Sequence, residues 1–432
     1  MNTIPHASPG FDTQERIDGR AAWRAADSAT GHGVLTGLRV LDLSRVLAGP
    51  YTAQMLADQG AEVIKVEAPA GDETRGWGPP FVESGTSSAY YGSLNHSKDN
   101  ICLDLRTEQG LEILGQLIAG ADVVVENFKA GTMARWGLDF DTVLSRRHPR
   151  LIYCRITGFG VDGPMGGLPG YDAVLQSFGG LMSINGTEES GPVRIGTPIV
   201  DIGTGLNAAI GILMALNDRH RTGKGQGIDV SLYDSAVSFL HPHAANYIMS
   251  GKPPRRIGNA HPNISPYDSY KTGTKPIFLA VGNDRQFVRL CGELGAADLA
   301  KDERFLRNAD RNAHRDELKV ELEKLLANHD SAKLAERLLR IGVPCGAVLD
   351  LPDVLVAPHT EHRRMVEKNG SYSGTGIPIK MSRTKGGVRL TPRAFNQDGA
   401  DILREAGYSA AQIEALTQAG AFVTERRKGG SE

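Results

Sequence analysis

Gly37–Glu67 reads GLRVLDLSRVLAGPYTAQMLADQGAEVIKVE, and this stretch decides the fold. Leu38–Leu43 (LRVLDL) is a short apolar run of the kind buried in a parallel sheet. Tyr51–Gly60 (YTAQMLADQG) reads as a helix closed by glycine, and Glu62–Glu67 (EVIKVE) as the next strand. A strand, a helix-length crossover and a second strand make a βαβ unit, which implies parallel pairing. The turn after the first strand, Ser44-Arg45-Val46-Leu47-Ala48-Gly49-Pro50, is not G-x-G-x-x-G, which argues against a nicotinamide or flavin cofactor.

The alternation continues outward. Leu111–Ala121 reads as a helix, Asp122–Phe128 (DVVVENF) and Leu151–Ile156 (LIYCRI) as strands, Leu206–Arg221 as a helix and Ile228–Leu232 as a strand. The expected class is therefore α/β, with a Rossmann-like large domain built on a mainly parallel sheet. From about Gly251 the character changes. Pro253, Pro254, Arg255 and Arg256 read as a linker, Ile277–Val281 as a strand, Asp284–Leu294 as a helix, and Asp316–Arg340 as charged helix punctuated at Asp330. This is the pattern of a smaller α+β domain. Val343–Val348 reads as a strand returning to the main body, and Asp401–Phe422 as two short helices joined at Gly407-Tyr408-Ser409. The expected division is a flexible arm over 1–33, the first part of the large domain over 34–225, linkers and small domain over 226–342, and the return over 343–432.

Composition narrows the functional classes. The 432 residues carry a formal net charge of −2, so no bulk basic field points to nucleic acid or an anionic membrane. An anionic ligand would have to be met by local Lys and Arg. Cys102, Cys154, Cys291 and Cys345 are scattered with no C-x-x-C pair, which suits free thiols in a reducing cytoplasm. The longest apolar stretch, Ala208–Leu216, reads as too short to span a bilayer, and the first residues lack the apolar core of a signal peptide. His241-Pro242-His243 has no third ligand near it in sequence, so no metal site is expected.

Val193–Gly205 (VRIGTPIVDIGTG) is an apolar run ending in Asp201 among small residues, just before a helical stretch. Two readings stand: a nucleophile or base at the mouth of the sheet, or an N-cap aspartate. Lys98, Arg106, Lys129 and Arg135 fall just before, between or just after sheet elements, where α/β folds bind ligands. Asn127-Phe128-Lys129 offers an amide, a ring and a cation, a set that suits adenine plus phosphate; singly, each cation also reads as solvated surface. Gly158–Tyr171 (GFGVDGPMGGLPGY) is a long glycine- and proline-rich loop, either a surface connection or an active-site wall. Gly223–Gly227 lacks the P-loop spacing and reads as a turn.

Together these segments resemble the class III coenzyme A transferase family. The likeness runs through Gly37–Glu67, Asn95–Asp104, Val123–Gly131, Gly158–Pro164, Gly170–Gln176, Gly196–Gly205, Ala215–Ser231, Gly258–Pro262, Ala280–Asp284 and Gly342–Val348. The resemblance implies Asp201 as the catalytic aspartate. It places Ala48, Leu103, Arg106, Asn127, Phe128, Lys129 and Arg135 at coenzyme A-contacting positions and Tyr171 on the active-site loop. It also implies an interlocked homodimer, with the large domain combining N- and C-terminal segments. Acyl-CoA and a free acid are then the substrates, with no permanently bound cofactor. A short acyl-CoA such as succinyl-CoA is the expected donor and a small dicarboxylate the expected acceptor.

The same family holds α-methylacyl-CoA racemases, which use a histidine in a Gly-His-Asp motif. Here the motif is Gly170-Tyr171-Asp172, and no histidine occurs between His148 and His220, which favours the transferase. A non-catalytic CoA-binding protein is a third reading, and it requires an inert Asp201. Leu47 and Ala68 stand where oxalate-type enzymes carry polar or basic residues, and Gly258-Asn259-Ala260-His261-Pro262-Asn263 replaces a glycine-run lid; both argue against oxalate. Asn259–Pro266 is the candidate lid, and Arg255, Arg256 or His261 are candidates to meet a second carboxylate. Asn396-Gln397-Asp398-Gly399 stands in place of a family Gly-x-His motif.

Overall fold

The computed structural model describes residues 33–82, 87–370 and 372–427. All but the last residue of the expected N-terminal arm lies outside the described residues. The larger of two units comprises the chain up to Leu175, Pro198–Ser235 and Arg363 onward. It opens with β1 (Arg39–Asp42), α1 (Ala48–Asp58), β2 (Glu62–Glu67), β3 (Asp99–Cys102) and α2 (Glu108–Ala119). β4 (Val123–Glu126), β5 (Ile152–Thr157), α3 (Ile199–Thr222) and β6 (Gly227–Ser231) follow. The six strands pair in the order β3-β2-β1-β4-β5-β6, every pair parallel. The chain winds outward from β1 to β3, then crosses back to β4 on the other side. The order thus reverses between β1 and β4, the switch point at which such sheets bind ligands.

Local chemistry explains the boundaries. α1 starts at Ala48 rather than Tyr51, because Pro50 falls in the first turn, where its missing N–H costs nothing. α2 is opened by Thr107, whose hydroxyl accepts from the Gly110 N–H at 3.0 Å. All four residues of β4 are buried, as a central parallel strand requires. Leu41, Ile64, Ile101 and Val124 pack with Ile113, Leu114 and Leu117 of α2 into one core.

α3 begins at Ile199, well before Leu206, so the apolar run ahead of Asp201 leads straight into a helix. It is 24 residues long and contains an 18-residue window of mean hydropathy 1.8, enough by length and composition to cross a bilayer, which corrects the reading based on Ala208–Leu216 alone. It packs instead on α1, β5 and β6. A side chain at Gly205 would meet the Ala48 carbonyl at 2.8 Å, so glycine is what allows α3 to approach α1.

The smaller unit comprises Gln176–Thr197 and Ala236–His362. It holds an antiparallel sheet of β7 (Tyr267–Tyr270), β8 (Ile277–Ala280) and β9 (Cys345–Ala347), in the order β9-β8-β7. α4 (Asp284–Glu293), α5 (Arg315–Leu326) and α6 (Ser331–Arg340) supply Phe287, Leu290, Leu322 and Leu338 to its core. Val343–Val348 therefore does not return to the large sheet. Val343 is buried in the small core, the Pro344 carbonyl accepts from Ala280, and β9 pairs with β8. A short apolar run states that a strand forms, not which sheet it joins.

The chain rejoins the large unit through α7 (Gly399–Glu405) and α8 (Ala410–Gln418), which add Ile402, Leu403 and Ile413 to the first core. The Asn396–Gly399 segment acquires a structural reading here. Asp398 accepts from the Asn100 N–H at 2.9 Å and Asn396 accepts from the Cys102 N–H at 2.8 Å. Side chains thus satisfy the donors of edge strand β3.

Candidate active site

The switch point is tightly tied. Val46 stands at φ 72°, a left-handed conformation that a β-branched residue rarely adopts. Asn127, just past β4, grips the neighbouring peptide: its side-chain oxygen accepts from the Arg45 N–H at 3.0 Å, and its amide donates to the Arg45 carbonyl at 2.8 Å. This bond pair brings the start of α1, with Ala48, to the Asn127-Phe128-Lys129 segment. Phe128 is half-buried, edge-on to Trp136 with ring centres 5.1 Å apart. Lys129 and Arg135 are exposed, and Arg135 donates to the Thr132 hydroxyl at 2.8 Å. Leu103 and Arg106 follow β3, two strands away. The Leu103 side chain is spent in the core, while the Arg106 side chain is 72% exposed and ion-paired with Asp104.

Lys98 is not a phosphate ligand. It is buried and donates to Asp42 at 2.9 Å, the Pro50 carbonyl at 2.8 Å and Asn95 at 3.0 Å. Burial draws its pKa down to about 8 against the pull of Asp42. Its work is to hold the end of β1 to the first turn of α1. Lys65 acts alongside, donating to the Ser44 carbonyl at 2.8 Å and pairing with Asp72.

Asp201 stands in the first turn of α3, and the N-cap position belongs to Pro198, which has no side-chain acceptor to offer. The N-cap reading of Asp201 therefore fails. The cap comes from Asp172, whose Oδ1 accepts from the Val200 N–H at 2.8 Å and the Asp201 N–H at 3.1 Å. The Gly158–Gly170 loop delivers it: a Cβ on Gly158 would lie 2.8 Å from the Gly170 nitrogen, so the ends of the loop abut. Asp201 is only 8% exposed. Burial, then the Asp172 charge, lifts its carboxyl to about 7. Tyr90 feels Asp201 in return; burial first, then the Asp201 and Asp172 charges, push its phenol to about 12, so it stays protonated. Tyr171 is exposed, with its hydroxyl 3.5 Å from Glu73.

Two site residues escaped the sequence reading. Asp172 was in view inside Gly170-Tyr171-Asp172, and a helix opening on Pro198 with no cap of its own was the available clue. Tyr90 offered no sequence signal. In the smaller unit, the candidate cations are already engaged: Arg255 pairs with Glu188 at 2.7 Å, and Arg256 donates to the Thr187 carbonyl at 3.2 Å. They line an open cavity of about 700 Å³ with Tyr267, Arg315 and Lys319.

A doubly wound parallel sheet with a buried, high-pKa aspartate at a helix start is the frame that the family comparison meets. The chain belongs to CoA-transferase family III, whose pattern matches residues 35–399. It is an enzyme class acting on CoA thioesters. The chain is 42% identical over 381 residues to a succinate–glutarate CoA-transferase of Agrobacterium fabrum, covering 86% of this chain and 95% of that one. It is 40% identical to an acetyl-CoA:oxalate CoA-transferase of Acetobacter aceti, covering 81% and 90%. The crystal structure of a CAIB/BAIF family protein from Brucella suis is similar at TM-score 0.79 and 43% identity, covering 87% of this chain and all of that one (100%).

Proposed function

We propose that this chain transfers coenzyme A from succinyl-CoA, or another short acyl-CoA, to a small dicarboxylate. The observation that carries the reading is the Asp201 carboxylate: buried, lifted to about 7, and set at a helix start beside the switch point. Such a carboxylate is a stronger nucleophile than a solvated one. One Asp201 oxygen attacks the thioester carbonyl. The C–S bond breaks, its electron pair leaves with sulfur, and a mixed aspartyl–acyl anhydride remains. The CoA thiolate then attacks the aspartyl carbonyl, giving an aspartyl-CoA thioester and the free donor acid. The acceptor carboxylate attacks this thioester, and the steps run in reverse. The anhydride must be kept from water, and Asn259–Pro266 is the loop assigned to close.

In this reading coenzyme A lies along Ala48, Arg106, Asn127, Phe128, Lys129 and Arg135, with Tyr171 on the loop over the reacting end, while Leu103, buried in the core, supports that surface rather than lining it. The exposed cations Lys129 and Arg135, beside the half-buried Phe128 ring, support this placement. A dicarboxylate acceptor rests on what the Agrobacterium fabrum relative acts on. An interlocked homodimer is part of the same reading. Leu206, Ile210, Leu213 and Met214 leave one stripe of α3 exposed, and Ile248 and Met249 are 80% and 89% exposed, faces that a second copy would cover. A cytoplasmic location rests on four unpaired cysteines.

Mass spectrometry after incubation with succinyl-CoA and a panel of acids, glutarate and oxalate included, tests the proposal. Transfer to one acid, with a hydroxylamine-sensitive adduct on Asp201, is expected. No transfer and no adduct, but deuterium entering the α-carbon of a 2-methylacyl-CoA, makes the chain a racemase instead.

A further inference from the structure

We propose that the cavity of the smaller unit is a binding site for a nucleoside phosphate, with the Arg256 and Arg315 guanidiniums on its phosphates and the Tyr267 ring beside its base. The cavity measures about 700 Å³, and every residue that lines it belongs to that unit. The inference goes beyond the transferase reading and does not rest on it.

The pairing of charges singles out two arginines. Arg255 is neutralised by Glu188 at 2.7 Å, and Lys319 by Asp268 at 2.6 Å. Arg256 and Arg315 have only neutral partners among the described residues. Arg256 donates through Nε to the Thr187 carbonyl at 3.2 Å. Arg315 donates through Nη2 to the His261 and Pro262 carbonyls at 3.2 and 3.5 Å, and to Asn312. These bonds fix each guanidinium in place without cancelling its charge. Both residues are half-buried, so water and salt screen them less than a surface cation. Arg256 keeps both terminal nitrogens, and Arg315 keeps Nη1 and Nε, the paired donors that grip phosphate oxygens. Lys252 adds an exposed ammonium to the same wall. Glu189 and Asp316 line the cavity too, but both are exposed and hydrated. His261, at the Arg315 end, registers the excess of positive charge: burial first, then His243 and Arg315, hold its imidazole below the ordinary pKa.

Size and walls decide the class of anion. A space of about 700 Å³ falls in the range, about 300–1,000 Å³, that takes ligands of drug or cofactor size. A phosphate ion or a short-chain acid would fill one corner of it. Ile257, Pro262 and Ile264 supply apolar wall. The Tyr267 ring is fixed by His261 and Phe278, whose ring centres lie 5.1 and 5.6 Å away, and it offers an aromatic surface to a base. The Glu189 and Asp316 carboxylates are acceptors for sugar hydroxyls. A nucleoside phosphate uses all three kinds of wall: cation, ring and carboxylate. The nucleotide end of coenzyme A and a free nucleotide share this chemistry.

Isothermal titration calorimetry with ADP and with coenzyme A tests the site. It is made in full-length enzyme carrying Lys129→Gln and Arg135→Gln, so that the coenzyme A surface proposed on the large unit contributes least. The expected result is saturable binding of ADP that weakens at least about tenfold when Arg256→Gln and Arg315→Gln are added. Coenzyme A that binds as well as ADP, and weakens in the same variants, makes its nucleotide end the ligand; binding of ADP alone makes a free nucleotide the ligand. Lys252→Glu, at an exposed residue, should weaken the same binding severalfold, and it carries the test if Arg315→Gln does not fold. Absence of binding by both probes overturns the proposal, as does binding that none of the three substitutions changes. Glutarate that binds in their place, and weakens in the same variants, overturns it as well and gives the cavity to an acceptor acid. A failure of CoA exchange bears on the transferase reading and leaves this measurement as it stands.

Discussion

Two regions of the large unit bury a carboxylate, and they treat it in opposite ways. At the end of β2, Glu67 is held by Arg75 through bonds of 2.6 and 2.9 Å, by Asn100 and by the Tyr91 hydroxyl, with Arg75 stacked 3.8 Å from the Tyr91 ring. Burial alone would raise its pKa; Arg75, with Lys65 behind it, drives it down to about 2. At the start of α3, Asp201 is buried as well, but its charged neighbour is another carboxylate, Asp172, with the Tyr90 phenol nearby, and it rises to about 7. Burial is common to both regions. The partner decides whether a buried carboxylate is held ionised as a strut or, as proposed for Asp201, kept as a reagent.

The largest effect belongs to Asp201, the proposed nucleophile. Asp201→Ala should lower CoA exchange by at least about 10³-fold while leaving the fold intact, as removal of a covalent nucleophile does. Exchange within tenfold of the parent enzyme breaks the contrast, because Asp201 would then be only a strained structural group. Next comes the strut. Arg75→Met leaves Glu67 buried without its guanidinium and should cost about 3–5 kcal/mol in chemical denaturation. A loss under about 1 kcal/mol would mean that Lys65, Asn100 and Tyr91 suffice.

The pH dependence of stability sharpens the comparison, because the two groups carry opposite signs. Glu67 has a folded pKa below its unfolded value, so its contribution is present above about 4.5 and fades as pH falls toward 2. Asp201 has a folded pKa above its unfolded value, so its ionisation weakens the fold as pH rises from 3.8 toward 7. Asp201→Asn should therefore be more stable than the parent enzyme above pH 7, by about 1.4 kcal/mol for every tenfold by which folding tightens the hold of Asp201 on its proton, and equal to it near pH 4. Thermal melts of both proteins across that range would test it; a constant offset contradicts the sign. The smallest effect is at the switch point. Val46→Gly relieves a strained φ but adds backbone freedom to the unfolded chain, for a net gain of about 1 kcal/mol. The KM for acyl-CoA should rise severalfold as the turn beside Ala48 loosens.

The sheet was legible because central parallel strands are continuous apolar runs, and Val123–Val125 and Ile152–Cys154 can hardly be anything else. Asp201 was legible as a candidate because small residues surround it. Burial was not legible. Lys98 falls where a phosphate ligand was sought, yet three acceptors from Asp42, Pro50 and Asn95 converge on it, and they come from three separate segments. Asp172 was hidden for the same reason: a cap supplied from 28 residues away leaves no local N-cap signature. Cys345–Ala347 carries apolar character but no address, and its pairing with Ile277–Leu279 depends on the small core around Val343.

The seal on β3 has a consequence for how this chain is made. Asn396 and Asp398 reach back 294 and 298 residues to the amides they satisfy, and Phe422 bridges to Leu103. A ribosome reads from the other end, so the first half of the sheet emerges long before its border does. Until the last tenth of the polypeptide is released, β3 is an open template for another strand. A nascent chain stalled before Asn396 should depend on chaperones and, when released early, accumulate as aggregate rather than as a shortened enzyme.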